Sequence, residues 1–184
     1  MTPRALASRW WSRLRRDNRG VAALEFALLV PVVIIVYAGG FEIAQAATVY
    51  RKLTDTTVQL ANVTSQYTQV AKSDLSTISS ASSQIMAPYS TSSLTIVVSE
   101  VGTDAAGAAT VQWSQKYPSG SGLAVGAPVT MPTGFATPSS YYILVQTSYT
   151  YTPTIGSAFV SSIPMTNQIF MVPRQSSSIP CSDC

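Results

Sequence analysis

The chain has 184 residues, of which 46% are hydrophobic and 10% charged, and it contains no histidine. This length allows one small domain beside any membrane segment. The formal net charge is +3, but residues 1–20 hold six of the eleven basic residues and one of the eight acidic residues. The basic excess therefore belongs to one end of the chain and does not indicate binding to nucleic acid.

Residues 1–20 form a basic leader, and an apolar segment follows at residues 21–41. From Val21 to Phe41 every residue is apolar or small or is Pro31, apart from Glu25 and Tyr37. Because about 20 such residues in a helix span the roughly 30 Å hydrocarbon core of a bilayer, residues 21–41 are predicted to be a transmembrane helix. The positive-inside rule keeps the leader in the cytoplasm and places the residues after the helix across the membrane.

Glu25 is an acidic residue inside this apolar segment. An ionisable side chain in the membrane is costly and is usually functional, although a plain anchor whose carboxylate reaches the interface remains an alternative. Further along the helix, four small residues offer a surface for close helix packing, namely Ala38, Gly40, Ala44 and Ala47.

Residues 42–90 are predicted to form an extended amphipathic helix and a short second helix. The first should continue the transmembrane helix toward Ala71, because apolar residues recur on one face at Val49, Leu53, Leu60, Val63, Tyr67 and Val70. Ser73 is the expected N-cap of the second helix, and Pro88 should end it.

Residues 91–174 change to an alternating pattern that predicts a small antiparallel β domain. The expected strands are Leu94–Val101, 111–117, 143–151 and Met165–Val172, with 118–138 as a long irregular connection. Four tyrosines at 141, 142, 149 and 151 suit either a binding surface or, as we expect, half-buried strand positions. The predicted fold class is α+β, with one transmembrane helix that continues into a long amphipathic helix and is followed by a small sheet.

Residues 175–184 form a tail that contains the two cysteines, Cys181 and Cys184, in a C-x2-C spacing. In an oxidising compartment they are expected to form a local disulfide. The alternatives are weaker, because a thiol oxidoreductase carries this motif at a helix start and a zinc site needs more ligands.

The sequence after the apolar segment offers no convincing combination of an acid, a base and a nucleophile. The chain has no histidine, no Walker loop and no G-x-S-x-G motif. We therefore expect no enzymatic activity, no cofactor, no bound metal and no small-molecule substrate.

The N-terminal residues carry a resemblance to a known family. The basic leader, Arg19-Gly20, the run Glu25-Phe26-Ala27-Leu28 and Pro31 are similar to the signature of the TadE-like family, minor pilin-like proteins of the tight-adherence (Flp) pilus system. The resemblance implies a bacterial inner-membrane protein with a periplasmic domain that a prepilin peptidase cuts between Gly20 and Val21. It also implies pilin-like partner subunits, incorporation into a pilus, and a Glu25 carboxylate that neutralises the new amine of a neighbouring subunit.

Two other functions stay open at the level of sequence. The chain is either an uncut single-pass scaffold of the assembly machine, or a secreted binding module that signal peptidase releases near Ala46. The second alternative rests on Ala44-Gln45-Ala46, which resembles a signal-peptidase site.

Overall fold

The computed structural model describes residues 20–155 and 162–184. The predicted leader therefore lies outside the described residues, apart from Gly20. The chain forms two compact units, residues 1–43 and residues 44–184. The first described element is helix α1, Val21–Thr64, which is 44 residues long and includes Pro31.

In the second unit, α1 buries one face, which carries Val49, Leu53, Leu60 and Ala61. Each large apolar side chain removed from water contributes about 1.5–3 kcal/mol. The same face also buries threonines, and these do not leave polar atoms unpaired. Thr57 and Thr64, for example, donate their hydroxyl hydrogens to the carbonyl oxygens four residues earlier, at 2.8 Å in both cases.

The amphipathic part of α1 differs from the prediction in two respects. The helix ends at Thr64 rather than near Ala71, and Val63 is 39% exposed instead of facing the core. Tyr67 and Val70 still pack in or against the core, but from the loop that follows the helix. Their spacing matches a helical repeat, but it is the loop after α1 that brings Tyr67 and Val70 to the core.

Two short helices follow, α2 at Lys72–Ser80 and α3 at Ser82–Met86. Helix α2 starts before Ser73, so the predicted cap is wrong. Instead, the Asp74 carboxylate accepts a hydrogen bond from the Ala71 backbone N–H at 3.0 Å. This acidic side chain in the first turn satisfies a donor that the helix leaves without an internal partner.

Four antiparallel strands form one sheet in the spatial order β2-β1-β3-β4. Their bounds are Thr95–Thr103 for β1, Ala109–Tyr117 for β2, Tyr141–Tyr151 for β3 and Ile163–Met171 for β4. The long helix and small antiparallel sheet confirm the predicted α+β fold, and 118–138 contains no helix or strand, as expected.

One face of the sheet carries the main core, where Ile96, Val98, Trp113, Ile143 and Val145 meet the buried face of α1. Polar contacts cross the same interface. The hydroxyls of Thr57 and Thr147 lie 2.7 Å apart, and the Asn167 amide donates to the Thr54 hydroxyl at 2.7 Å. Helix and sheet are therefore joined by satisfied polar groups as well as by apolar packing.

The opposite face of the sheet is only partly covered. A smaller cluster forms there around Val101, Ala109 and Leu144, against which residues of the 118–138 connection pack. The rest of this face forms an open groove of about 590 Å³ with a largely Thr, Ser and Gln lining. Three of the four tyrosines discussed above are buried, and Tyr141 is 38% exposed.

Candidate functional site

The candidate processing site lies where α1 begins. Gly20 is exposed, and a Cβ added to it would meet nothing within 4 Å. The α-helix starts at the next residue, Val21. Glycine readily adopts the extended backbone that a protease requires, so the described side of this junction is open and lies directly before a regular helix.

Glu25 lies in the first two turns of α1, four residues after Val21, and its side chain is exposed. Residues four apart lie on the same side of a helix, one turn from each other. The carboxylate is therefore placed beside the start of the helix, on a surface where nearly all its neighbours are apolar.

That apolar surface is the most unusual feature of the first unit. Apart from the half-buried Val30, large hydrophobic side chains from Val21 to Ile43 are 40–76% exposed, although soluble monomers rarely expose contiguous patches of this kind. The helix is long and apolar enough to cross a membrane. The exposed apolar side chains are what a lipid environment would solvate.

The four predicted packing residues divide into two groups on this helix. Gly40, Ala44 and Ala47 are separated by four and three positions and therefore share one side, whereas Ala38 precedes Gly40 by two and points elsewhere. Gly40, Ala44 and Ala47 are exposed, and Ala38 is half-buried. A Cβ added to Gly40 would meet nothing within 4 Å.

The C-terminal residues are fixed to the second unit instead of forming a free tail. Cys181 and Cys184 are joined in a disulfide, and Cys181 forms a parallel bridge with Val70. The Val70 backbone N–H donates to the Pro180 carbonyl oxygen at 3.1 Å, and Ser182 N–H donates to the Val70 carbonyl oxygen at 3.0 Å.

Asp183 lies between the two cysteines and close to both sulfurs. It accepts a hydrogen bond from the Lys72 backbone N–H at 2.8 Å, at the start of α2. The sulfurs are already joined to each other, so this group is a structural clasp and not a set of thiolate metal ligands.

Glu100 is not among the residues predicted to be functional, but the structure buries it at 3% exposure. Its carboxylate accepts the backbone N–H of Ile179, and the Trp113 indole N–H donates to the Ile179 carbonyl oxygen at 2.8 Å. Burial raises the pKa of Glu100, and the hydrogen bond from the Ile179 backbone N–H, with the nearby indole N–H of Trp113, partly opposes this effect. An acidic residue within a β-branched run was the one available signal.

Two grooves on the second unit lack the charged side chains that are common in active sites. The 590 Å³ groove described above has no charged residue in its lining. A second groove of about 350 Å³ is lined by Gln45, Tyr89, Tyr149 and neighbouring Ser and Thr residues. Among the charged residues that the structure describes, Glu100 alone is buried, and its recorded hydrogen bond goes to the backbone of Ile179.

Comparison with known proteins identifies the N-terminal part of the chain. The family model of the TadE-like proteins matches residues 20–70, which confirms the resemblance found in the sequence. No curated protein and no solved structure gives a significant match. Proteins of this family are structural components of pili and not enzymes. Residues 20–70 are therefore a TadE-like region, which indicates a protein associated with the Tad pilus.

Proposed function

We propose that the chain is a minor pilin-like subunit of the Tad pilus, processed after Gly20 and packed against other subunits through α1. The observation that carries this proposal is the exposed apolar surface of α1, which begins directly after Gly20 and contains one carboxylate, Glu25. A soluble monomer would leave this apolar surface exposed to water, whereas a membrane or neighbouring subunits would cover it.

In the membrane, residues 21–41 would cross the bilayer of the inner membrane, with the arginine-rich leader in the cytoplasm. The second unit would then lie in the periplasm, where its disulfide can form and persist. This orientation also accounts for the concentration of basic residues in the leader, which holds six of the eleven.

Cleavage between Gly20 and Val21 by a prepilin peptidase would place a new amine on Val21. Glu25 lies one helical turn from that amine. In an environment of low dielectric, the carboxylate of one subunit would pair with the amine of the next, because an uncompensated buried charge is strongly destabilising. This pairing would select the axial position of each subunit, and Gly40, Ala44 and Ala47 would allow close contact between neighbouring helices.

The proposal is tested by the mass of the native protein extracted from membranes and by a matched pair of variants. A mature chain that starts at Val21 is expected. Glu25→Ala should still be cut but should be largely lost from the pilus fraction. Asp55→Ala removes an exposed carboxylate from the same helix outside the apolar segment, and this control should be incorporated normally. Normal incorporation of Glu25→Ala would refute charge neutralisation.

The two alternative functions predict different masses. An uncut chain would support a single-pass scaffold, and a chain that starts near Ala47 would support a secreted module. The structure offers an argument against release near Ala46, because cleavage there would divide α1. It would also remove Gln45, whose side-chain oxygen accepts a hydrogen bond from the Tyr89 hydroxyl at 2.8 Å.

A further inference from the structure

The two edges of the sheet differ in how their backbone groups are satisfied. At the β2 edge, residues of the 118–138 connection bond to the strand. Val111 N–H donates to the Ala127 carbonyl at 3.0 Å, Gly126 N–H donates to the Val111 carbonyl at 2.8 Å, and Val129 N–H donates to the Ala109 carbonyl at 2.9 Å. This edge is therefore largely closed to another strand.

At the other edge, β4 pairs with β3 and with no further strand among the described residues. The register runs without a shift over nine residue pairs, from Ile143 with Met171 to Tyr151 with Ile163. Among residues 20–155 and 162–184, no other segment forms a backbone hydrogen bond with β4. In an edge strand, alternate N–H and C=O groups point away from the sheet, so their remaining partners are water or another strand.

Natural sheets usually protect such an edge with charged side chains, bulges, prolines or a covering segment. Strand β4 has no charged residue and no bulge, and its one proline, Pro164, lies next to its first residue. Thr166 and Gln168 are exposed on the face that carries the polar groove. Within residues 20–155 and 162–184, the strand is thus neutral, free of bulges and paired along one edge only.

We propose that β4 of one chain pairs antiparallel with β4 of a second copy, so that two four-stranded sheets form one continuous sheet. A two-fold axis brings the same patch of each subunit together, which requires a surface complementary to itself. A neutral strand meets this requirement, since no like charges are opposed. The side-chain amides of Asn167 and Gln168 at its centre already bond within the chain, to Thr54 and Gln146, so the pairing uses the outward backbone groups of the strand.

A charged partner strand fits this edge less well. It would bring its charges beside residues that offer no opposite charge, including Ile169 and Phe170. The β4 strand of a second copy brings no charged side chain to this edge. The inference concerns residues outside the TadE-like region and does not rest on the proposed pilus function.

The test compares two double variants of the full chain in detergent micelles. Thr166→Lys with Gln168→Lys places lysines on the edge strand, where like charges would face each other across the two-fold axis. The matched control is Gln146→Lys with Ser148→Lys. Gln146 and Ser148 lie on β3, where they pair directly with Gln168 and Thr166 of β4. The control therefore places the same charges on the same face of the sheet, one strand further from the edge.

The wild-type chain and the β3 control are expected to be dimers by native mass measurement, and the β4 variant is expected to be a monomer. Hydrogen exchange provides the second measurement. Protection of residues 163–172 should increase with protein concentration in the wild type and not in the β4 variant, whereas protection of β1 should be unchanged. Unchanged β1 protection also shows that the variant is folded.

Three results would overturn the inference. They are a monomeric wild-type chain at high concentration, a dimer that survives the β4 lysines, or equal loss of the dimer in both double variants. A dimer that survives would place association in another part of the chain, such as α1. None of these results bears on cleavage after Gly20, which the mass of the native protein tests separately.

Discussion

Replacing Ile179 by alanine should destabilise the second unit strongly, although this residue lies only five positions before Cys184. Its side chain is fully buried within the main core. Its backbone is held on both sides, because Glu100 accepts its N–H and Trp113 donates to its carbonyl oxygen. The alanine variant would keep these hydrogen bonds and lose only the packed side chain.

The expected cost follows from the burial. Truncation of a buried isoleucine to alanine usually costs about 2–5 kcal/mol, and more where the surrounding structure cannot collapse into the cavity. The two hydrogen bonds hold the backbone in place, so we expect about 3–4 kcal/mol for Ile179→Ala. For a domain of about 150 residues, this corresponds to a fall in melting temperature of roughly 10 °C.

The assay is thermal unfolding of the full chain in detergent, followed by near-UV circular dichroism, which reports on packing around Trp113. Val172→Ala is the matched control, because Val172 is 55% exposed and lies in the same C-terminal part of the chain. The control should change stability by less than about 0.5 kcal/mol. If both variants have the melting temperature of the wild type, the segment around Ile179 is not part of the core and the reasoning is wrong.

Two further predictions concern Glu100 and Gly122. Because burial raises the pKa of Glu100, the folded wild type should lose stability as pH rises from the ordinary value of 4.5 to the raised pKa, and no further above it. Glu100→Gln should therefore gain stability relative to the wild type over that range in denaturant titrations, and a constant difference would contradict this. Gly122→Ala should cost about 1–3 kcal/mol, since its Cβ would overlap Ser114, whose hydroxyl is held by Ser99 and by Leu123 N–H. Ser121→Ala is its control, and equal melting temperatures would refute the clash.

The sequence predicted the helices and strands of this fold well because their periodicities are strong. The change from helical to alternating spacing located all four strands to within a few residues, and the apolar run located the first half of α1. The end of α1 was predicted less well. Tyr67 and Val70 continue a helical spacing, and nothing local shows that a loop brings them to the same core.

Buried polar residues were the second source of error. Counting apolar side chains missed the threonines on the inner face of α1, because a threonine that bonds to its own helix can be buried at little cost. Glu100 was missed for a similar reason, since its backbone partner at Ile179 is 79 residues away. The candidate processing site and Glu25, in contrast, depend on local sequence and could be identified before the structure.

The burial of Ile179 also limits when the domain can fold. Because a polypeptide is made from its N-terminus onward, this core lacks one of its central side chains until residue 179 has been made. The bridge between Val70 and Cys181 must wait equally long. Until then the core-facing apolar surfaces of the sheet and of α1 in the second unit remain open to solvent or to a chaperone, although all four strands have already been made.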